Sequence, residues 1–181
     1  MRKTRLMAVR DIVLFPEEVL ATRGERVEEI TAEIRELVAD MVETMYAAPG
    51  VGLAAQQVGE ALQLAVVDVS VGEEPDQLLV LINPEIIAQE GSQVDEEGCL
   101  SFPGITEMVE RPMKVTLRAQ DLEGEEFEVE GEGFLARAFC HEIDHLNGVL
   151  FIERMSSLKR QLVRRKIRKA VRAGEWSEDR P

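Results

Sequence analysis

The stretch from Phe134 to Leu146 constrains the fold most. Phe134, Leu135, Ala136, Ala138, Phe139, Ile143 and Leu146 put apolar groups on most sides of a helix, and such a helix must be covered by other elements. The spacing therefore predicts a helix buried in the core, with a sheet over it. The same stretch reads His141-Glu142-Ile143-Asp144-His145, and these are the only two histidines in the chain. Unpaired polar groups in an apolar setting cost roughly 2–7 kcal/mol, so the two imidazoles need a partner. At about 3.6 residues per turn His141 and His145 share one face, a turn apart, and reach a single metal ion. Glu142 lies ~100° round from His141, close enough to touch a water on that metal without ligating it, as a general base requires.

A third ligand must come from elsewhere. The longer protease pattern that adds a third histidine would place it at position 151, which is Phe151. A glutamate ligand would have to be Glu153, Glu175 or Glu178. The last two fall in a polar tail, and Glu153 follows an expected strand. Cys99, in Glu97-Gly98-Cys99-Leu100-Ser101, is the better candidate, because a thiolate suits zinc or ferrous iron and glycine permits close backbone approach. Cys140 points ~100° away from its neighbour His141 and reads as a small buried residue. A Cys99, His141, His145 set leaves a fourth position for water, which marks a hydrolytic ion rather than a structural one. Two rival classes remain at this point: a protease with a glutamate ligand, and a closed zinc module on Cys99, Cys140, His141 and His145.

The rest reads as mixed α and β within one domain, residues 1–174, followed by a polar tail, 175–181. Val27, Ile30, Ile34, Leu37, Val38, Met41, Val42 and Met45 follow helical spacing from about Gly24 to the break at Pro49-Gly50. Leu62 to Val69 and Leu78 to Ile82 are strand-like runs. Met113 to Gln120 and Glu125 to Gly131 flank Asp121-Leu122-Glu123-Gly124 as a hairpin. No repeat, linker or low-complexity tract interrupts the chain.

Charge separates one element from the others. With 21 basic against 35 acidic residues the net charge is −14, so the body should repel DNA and anionic membrane. Between Leu158 and Arg172, however, stand eight basic residues and no acid. Leu158, Leu162, Val163, Ile167, Ala170 and Val171 give this stretch one apolar seam, so residues 158–172 are expected as a basic amphipathic helix closed by Gly174. No apolar run approaches the ~20 residues that cross a bilayer, and charges interrupt any signal-peptide core near Met1-Arg2-Lys3-Thr4-Arg5. These features, with only two cysteines, point to the cytoplasm.

Three segments in order, Gly50-Val51-Gly52-Leu53-Ala54-Ala55-Gln56-Gln57, Glu97-Gly98-Cys99-Leu100-Ser101 and His141-Glu142-Ile143-Asp144-His145-Leu146-Asn147-Gly148, resemble the peptide deformylases. The resemblance runs from the N-terminal helix to about Phe151. It implies an α+β fold in which antiparallel strands wrap a central buried HExxH helix, between an N-terminal amphipathic helix and the C-terminal basic one. It implies removal of the N-formyl group from the initiating methionine of new polypeptides, with release of formate. Oxyanion donors would be the Gln57 side chain and the Leu100 backbone N–H, and Glu97 with Arg111 would form an ion pair bracing the Cys99 strand. The family suggests ferrous iron, although a Cys-His-His site also accepts zinc, nickel or cobalt. Cys140 stands where the family often has glutamine. Read from the residues themselves, Val51 and Gly52 offer extended backbone to a peptide, while Phe134 and Ala138 share the His141 face and suit an apolar hole for methionine. For a deformylase, the basic helix would meet ribosomal RNA near the exit of the nascent chain.

Overall fold

A computed structural model describes residues 8–177. The reading of the first five residues, and the last four residues of the expected tail, lie outside them.

The first long helix, α1 (Ala32–Ala47), starts later than its apolar spacing suggested. Thr31 caps it, its hydroxyl accepting from the Ile34 N–H at 3.4 Å, and a threonine at this position satisfies one of the free N-terminal donors. Val27 and Ile30 still join the core, but from an extended run. Asn83 holds that run by accepting from the Val27 N–H and donating to the Val27 carbonyl, both at 2.9 Å. A long-range side-chain partner thus outcompetes the first helical turn. Leu37, Val38, Met41 and Met45 are the buried face of α1.

Five antiparallel strands form the main sheet in the order β1 (Gly52–Ala54), β2 (Leu64–Val67), β3 (Leu79–Glu90), β6 (Lys114–Gln120), β7 (Glu126–Glu132). Strand β3 runs well past the expected end at Ile82. Register shifts after Ile82 and Ile86 carry it beyond Asn83 and Pro84, a disruption that a bulge absorbs. The hairpin of β6 and β7 closes over Asp121 to Glu125 as expected, with the Asp121 N–H donating to the Glu125 carbonyl at 3.0 Å. A second, two-stranded sheet of β4 (Gln93–Gly98) and β5 (Thr106–Arg111) had not been anticipated as a pair. Its buried members are Glu97, Val109 and Arg111, so hydrophobic alternation gives it almost no signal.

Helix α2 spans Phe134–Leu146, the expected bounds, and packs against β1, β2, β5, β6 and β7. Ala136, Phe139, Cys140, Ile143 and Leu146 are buried. Helix α3 (Ser157–Ala173) is capped by Ser156 and closed by Gly174 in the left-handed conformation, which glycine adopts without penalty. Its seam is narrower than expected: Val163, Ile167 and Ala170 dock, whereas Leu158 is 66% and Leu162 56% exposed and Val171 faces solvent too. The tail also begins by docking, because the Trp176 indole N–H donates to the Phe15 carbonyl at 2.7 Å. Among the described residues no helix is long and apolar enough to cross a membrane.

Candidate metal centre

Helix α2 places His141 and His145 one turn apart, with their Nε2 atoms 3.2 Å from each other. The turn after β4, closed by the Phe102 N–H donating to the Cys99 carbonyl at 2.9 Å, brings Cys99 Sγ to 3.3 Å from His145 Nε2. All three candidate ligand atoms lie within 4.8 Å of one another. Two imidazole nitrogens and a sulfur converging on one point is a donor set that fits a zinc-like or ferrous ion. Burial, with the positive charge of a protonated His141 beside it, holds the His145 pKa well below its usual value, whereas at His141 burial is outweighed by Cys99 and Glu97, which raise its pKa well above the usual one. Among the described residues neither Cys140 nor Glu153 belongs to this group. Burial raises the Cys140 thiol pKa, and the Glu153 carboxylate accepts from the Leu150 N–H at 2.7 Å.

Behind the ligand atoms lies a buried ionic network. Glu97 Oε1 accepts from His141 Nδ1 at 2.7 Å and from Arg111 at 2.6 Å, and Oε2 accepts from Arg111 Nε at 3.1 Å and from Arg137 at 2.8 Å. The bond at Nδ1 turns the other ring nitrogen of His141 toward Cys99 and His145, the usual means of orienting a metal-binding imidazole. Burial alone would raise the Glu97 pKa, but His141 and Arg111 outweigh it and hold the carboxyl well below its ordinary range. Arg111 also donates to Asp144 at 2.7 Å, and Asp144 accepts from Arg154 Nε at 2.9 Å.

A cleft of about 760 Å³ opens beside the centre, lined by Val51, Gly52, Gln57, Leu100, Phe134 and Ala138, with His141 and Glu142 also on its wall. Glu142 is only 4% exposed, and its Oε2 has no hydrogen-bond partner among the described residues. Burial, with Glu97 adding to it, pushes its pKa up to about 7, suited to passing a proton at neutral pH. Gly52 makes room for it: a Cβ there would collide with Glu142 Oε1. Gln57 is held by its carbonyl oxygen, which accepts from the Ala54 N–H at 3.0 Å. Its amide nitrogen points at Ser101 Oγ, 3.2 Å away, and at Cys99 Sγ, 3.8 Å away.

The family model for polypeptide deformylase matches residues 9–161. This chain belongs to the peptide deformylase family. Deformylases are metal-dependent hydrolases that remove the N-formyl group from newly made polypeptides. The chain is 59% identical over 170 residues to the peptide deformylase of Acidobacterium capsulatum, covering 94% of this chain and 100% of that one. To the peptide deformylase of Acinetobacter baumannii it is 52% identical over 170 residues, covering 93% and 96%. The crystal structure of a peptide deformylase from Legionella pneumophila superposes with a TM-score of 0.86 at 44% identity, covering 92% of this chain and 98% of that one.

The structure brings together the residues singled out in the sequence. Cys99, His141 and His145 converge, Glu97 pairs with Arg111, and the remaining candidates line one cleft. Arg137, Asp144, Arg154 and Ser101 were missed. A charge four residues before His141 on an otherwise apolar helix was the available signal for Arg137. Ser101 carried none, because its partner Gln57 is far off in sequence.

Proposed function

We propose that this deformylase holds one divalent metal ion on Cys99 Sγ, His141 Nε2 and His145 Nε2 and uses Glu142 to carry the proton. The convergence of those three atoms beside a buried carboxylate whose Oε2 has no hydrogen-bond partner among the described residues is the observation that carries the reading. Helix α2 is the central element of this reading, wrapped by the antiparallel strands. When bound, the ion acts as a Lewis acid and lowers the pKa of a water molecule it carries. The Glu142 carboxylate takes a proton as water attacks the formyl carbon, then returns it to the departing amine, giving formate and a free N-terminus. The Gln57 amide N–H and the Leu100 N–H donate to the oxygen on which negative charge develops. Val51 and Gly52 offer main chain to the peptide, Phe134 and Ala138 wall the methionine side chain, and Glu97 with Arg111 steadies the Cys99 segment.

Ferrous iron is the proposed ion, with zinc, nickel or cobalt accepted by the same donors. The working domain is residues 1–174, in the cytoplasm, where formyl-methionyl chains emerge. Metal analysis of anaerobically purified protein, paired with formate release from a formyl-methionyl peptide, tests the scheme. Glu142→Gln should keep stoichiometric metal and lose most turnover; near-normal turnover would sink Glu142 as the proton carrier.

The same reading assigns α3 to ribosomal RNA. Its basic residues stand on a helix whose outer side also leaves Leu158 and Leu162 largely in water, which forgoes roughly 1–2 kcal/mol of burial for each. Replacing Arg164, Arg165, Arg168 and Lys169 by glutamine should abolish cosedimentation with ribosomes and leave cleavage of a short peptide unchanged. Unaltered cosedimentation would return the helix to a solvated face.

A further inference from the structure

Arg137 is a costly residue for the place it occupies. It is 3% exposed, and its Nε has no hydrogen-bond partner among the described residues. A buried donor left unmet costs about 1–3 kcal/mol, so its retention needs a reason. Pairing the charge of Glu97 is not that reason, because Arg111 already donates to both Glu97 oxygens, at 2.6 and 3.1 Å. A second guanidinium adds the desolvation of another charge.

Arg111 and Arg137 differ in where they stand. Arg111 is on β5 and reaches Asp144 as well. Arg137 is on α2, one turn before His141, and helps line the cleft with Phe134 and Ala138. Its head is fixed at two points, donating to Glu97 Oε2 at 2.8 Å and to the Val109 carbonyl at 3.0 Å. The other Glu97 oxygen accepts from His141 Nδ1 at 2.7 Å. One carboxylate thus joins a residue of the cleft wall to the ring of a proposed ligand.

We propose that Arg137 is a positioning residue that ties recognition of the substrate's first side chain to the geometry of His141. This inference rests on the proposed roles of His141 as a ligand and of the cleft as the methionine site. A methionine side chain filling the cleft packs against the wall to which Arg137 belongs, and the guanidinium transmits that packing through Glu97 to the imidazole. A short side chain leaves the arm slack. Selectivity for methionine then appears in kcat as well as in KM, because orienting a reacting assembly raises kcat.

Arg137→Met keeps an apolar stem and removes the head, while Arg137→Lys keeps a stem and one cationic donor. For parent and variants, kcat and KM are measured on formyl-methionyl and formyl-alanyl peptides, and release of cobalt to a chromogenic chelator is followed. In Arg137→Met, the ratio of kcat values between the two peptides should collapse by about tenfold or more while the KM ratio persists, and cobalt should leave about 10–100-fold faster. Arg137→Lys should fall between the two. Equal loss of kcat on both peptides with unaltered cobalt release would make Arg137 merely structural and overturn the proposal, as would parent-like behaviour. Should Arg137→Met fail to fold, Arg137→Lys decides: a parental kcat ratio and parental cobalt release refute the inference. A parent protein that binds no cobalt or releases no formate refutes the proposed function itself, and the inference with it.

Discussion

Replacing Gly52 by alanine should slow deformylation about 100-fold while leaving metal content untouched. A Cβ on Gly52 would stand 2.9 Å from Glu142 Cδ and 3.0 Å from its Cγ. Carbon atoms in contact prefer about 3.5–4.0 Å, so the carboxylate must withdraw by roughly 0.6–1 Å. The backbone does not oppose the change, since Gly52 is not among the glycines with positive φ and simply pairs with Val67 across β1 and β2. The cost therefore falls on Glu142, whose buried side chain must shift along the cleft wall it helps to form. A displacement of about 1 Å in a reacting group costs on the order of 10²-fold in rate, or about 2.7 kcal/mol in the barrier. Formate release over a range of peptide concentrations separates the two consequences. Loss of proton transfer lowers kcat, and damage to the main-chain contact of Gly52 raises KM. A kcat within about threefold of the parent, some 0.6 kcal/mol, would show that Glu142 has slack or does not carry the proton.

Three further outcomes can be checked independently. Cys99→Ser should lose most bound metal, since a hydroxyl replaces a thiolate, and the iron form of the parent should lose activity in air; an iron enzyme that keeps full activity through prolonged air and peroxide would refute the thiolate–ferrous pairing. Glu97→Gln leaves two buried guanidiniums facing a neutral amide and should destabilise the fold by about 3–5 kcal/mol, lowering Tm by roughly 10 °C; a calorimetric Tm within about 2 °C of the parent would refute the buried pairing. Tyr46 is the only tyrosine, and burial, reinforced by its hydroxyl donating to Asp68 at 2.6 Å, pushes its pKa up to about 12. Because the folded value lies above the unfolded ~10, the associated stability is whole below pH ~10 and is lost as pH rises toward 12. The tyrosinate absorbance of the folded protein should titrate near 12, and Asp68→Asn should bring the midpoint down; a midpoint near 10 in the parent would show the phenol free.

The helices and the hairpin were legible because their signals are local. Helix α2 fell on its expected bounds, since its apolar side chains leave few other solutions, and β6 and β7 were marked by a turn. The start of α1 was misread because Val27 and Ile30 lie at helical spacing by coincidence, their run being held by Asn83, which is 56 residues from Val27. The sheet of β4 and β5 was invisible to hydrophobic patterning because its inward face carries Glu97 and Arg111, whose pairing came only from the family resemblance and whose burial depends on each other and not on hydrophobicity. The same cause hid Arg137: a buried charge is legible only once its counter-charge is in place. The exposed leucines of α3 went the other way, since spacing cannot tell a docked seam from one facing water.

Helix α2 shows why fold and site are inseparable here. At about 100° per residue, Asp144, Arg137, His141, Phe134, His145, Ala138 and Glu142 follow one another round a single arc of roughly 160°. Leu135, Leu146, Phe139, Ile143 and Ala136 fill the opposite side. Every group that the helix offers to the proposed metal, the ionic network and the proposed substrate cleft is thus set by one rotation angle, and the core side sets that angle. The functional side meets partners on different elements: Cys99 after β4, Gly52 on β1, Glu97 on β4. A turn of α2 by about 10° swings a side-chain tip some 6 Å from the axis by about 1 Å, the displacement that costs on the order of 10²-fold in rate. Such a turn would move His141 and Glu142 together relative to Glu97 on β4 and Gly52 on β1, which belong to different sheets. The close packing of Phe139 against Gly131, where even a Cβ would meet the ring at 2.7 Å, therefore serves the chemistry as directly as the Glu97 hydrogen bond does.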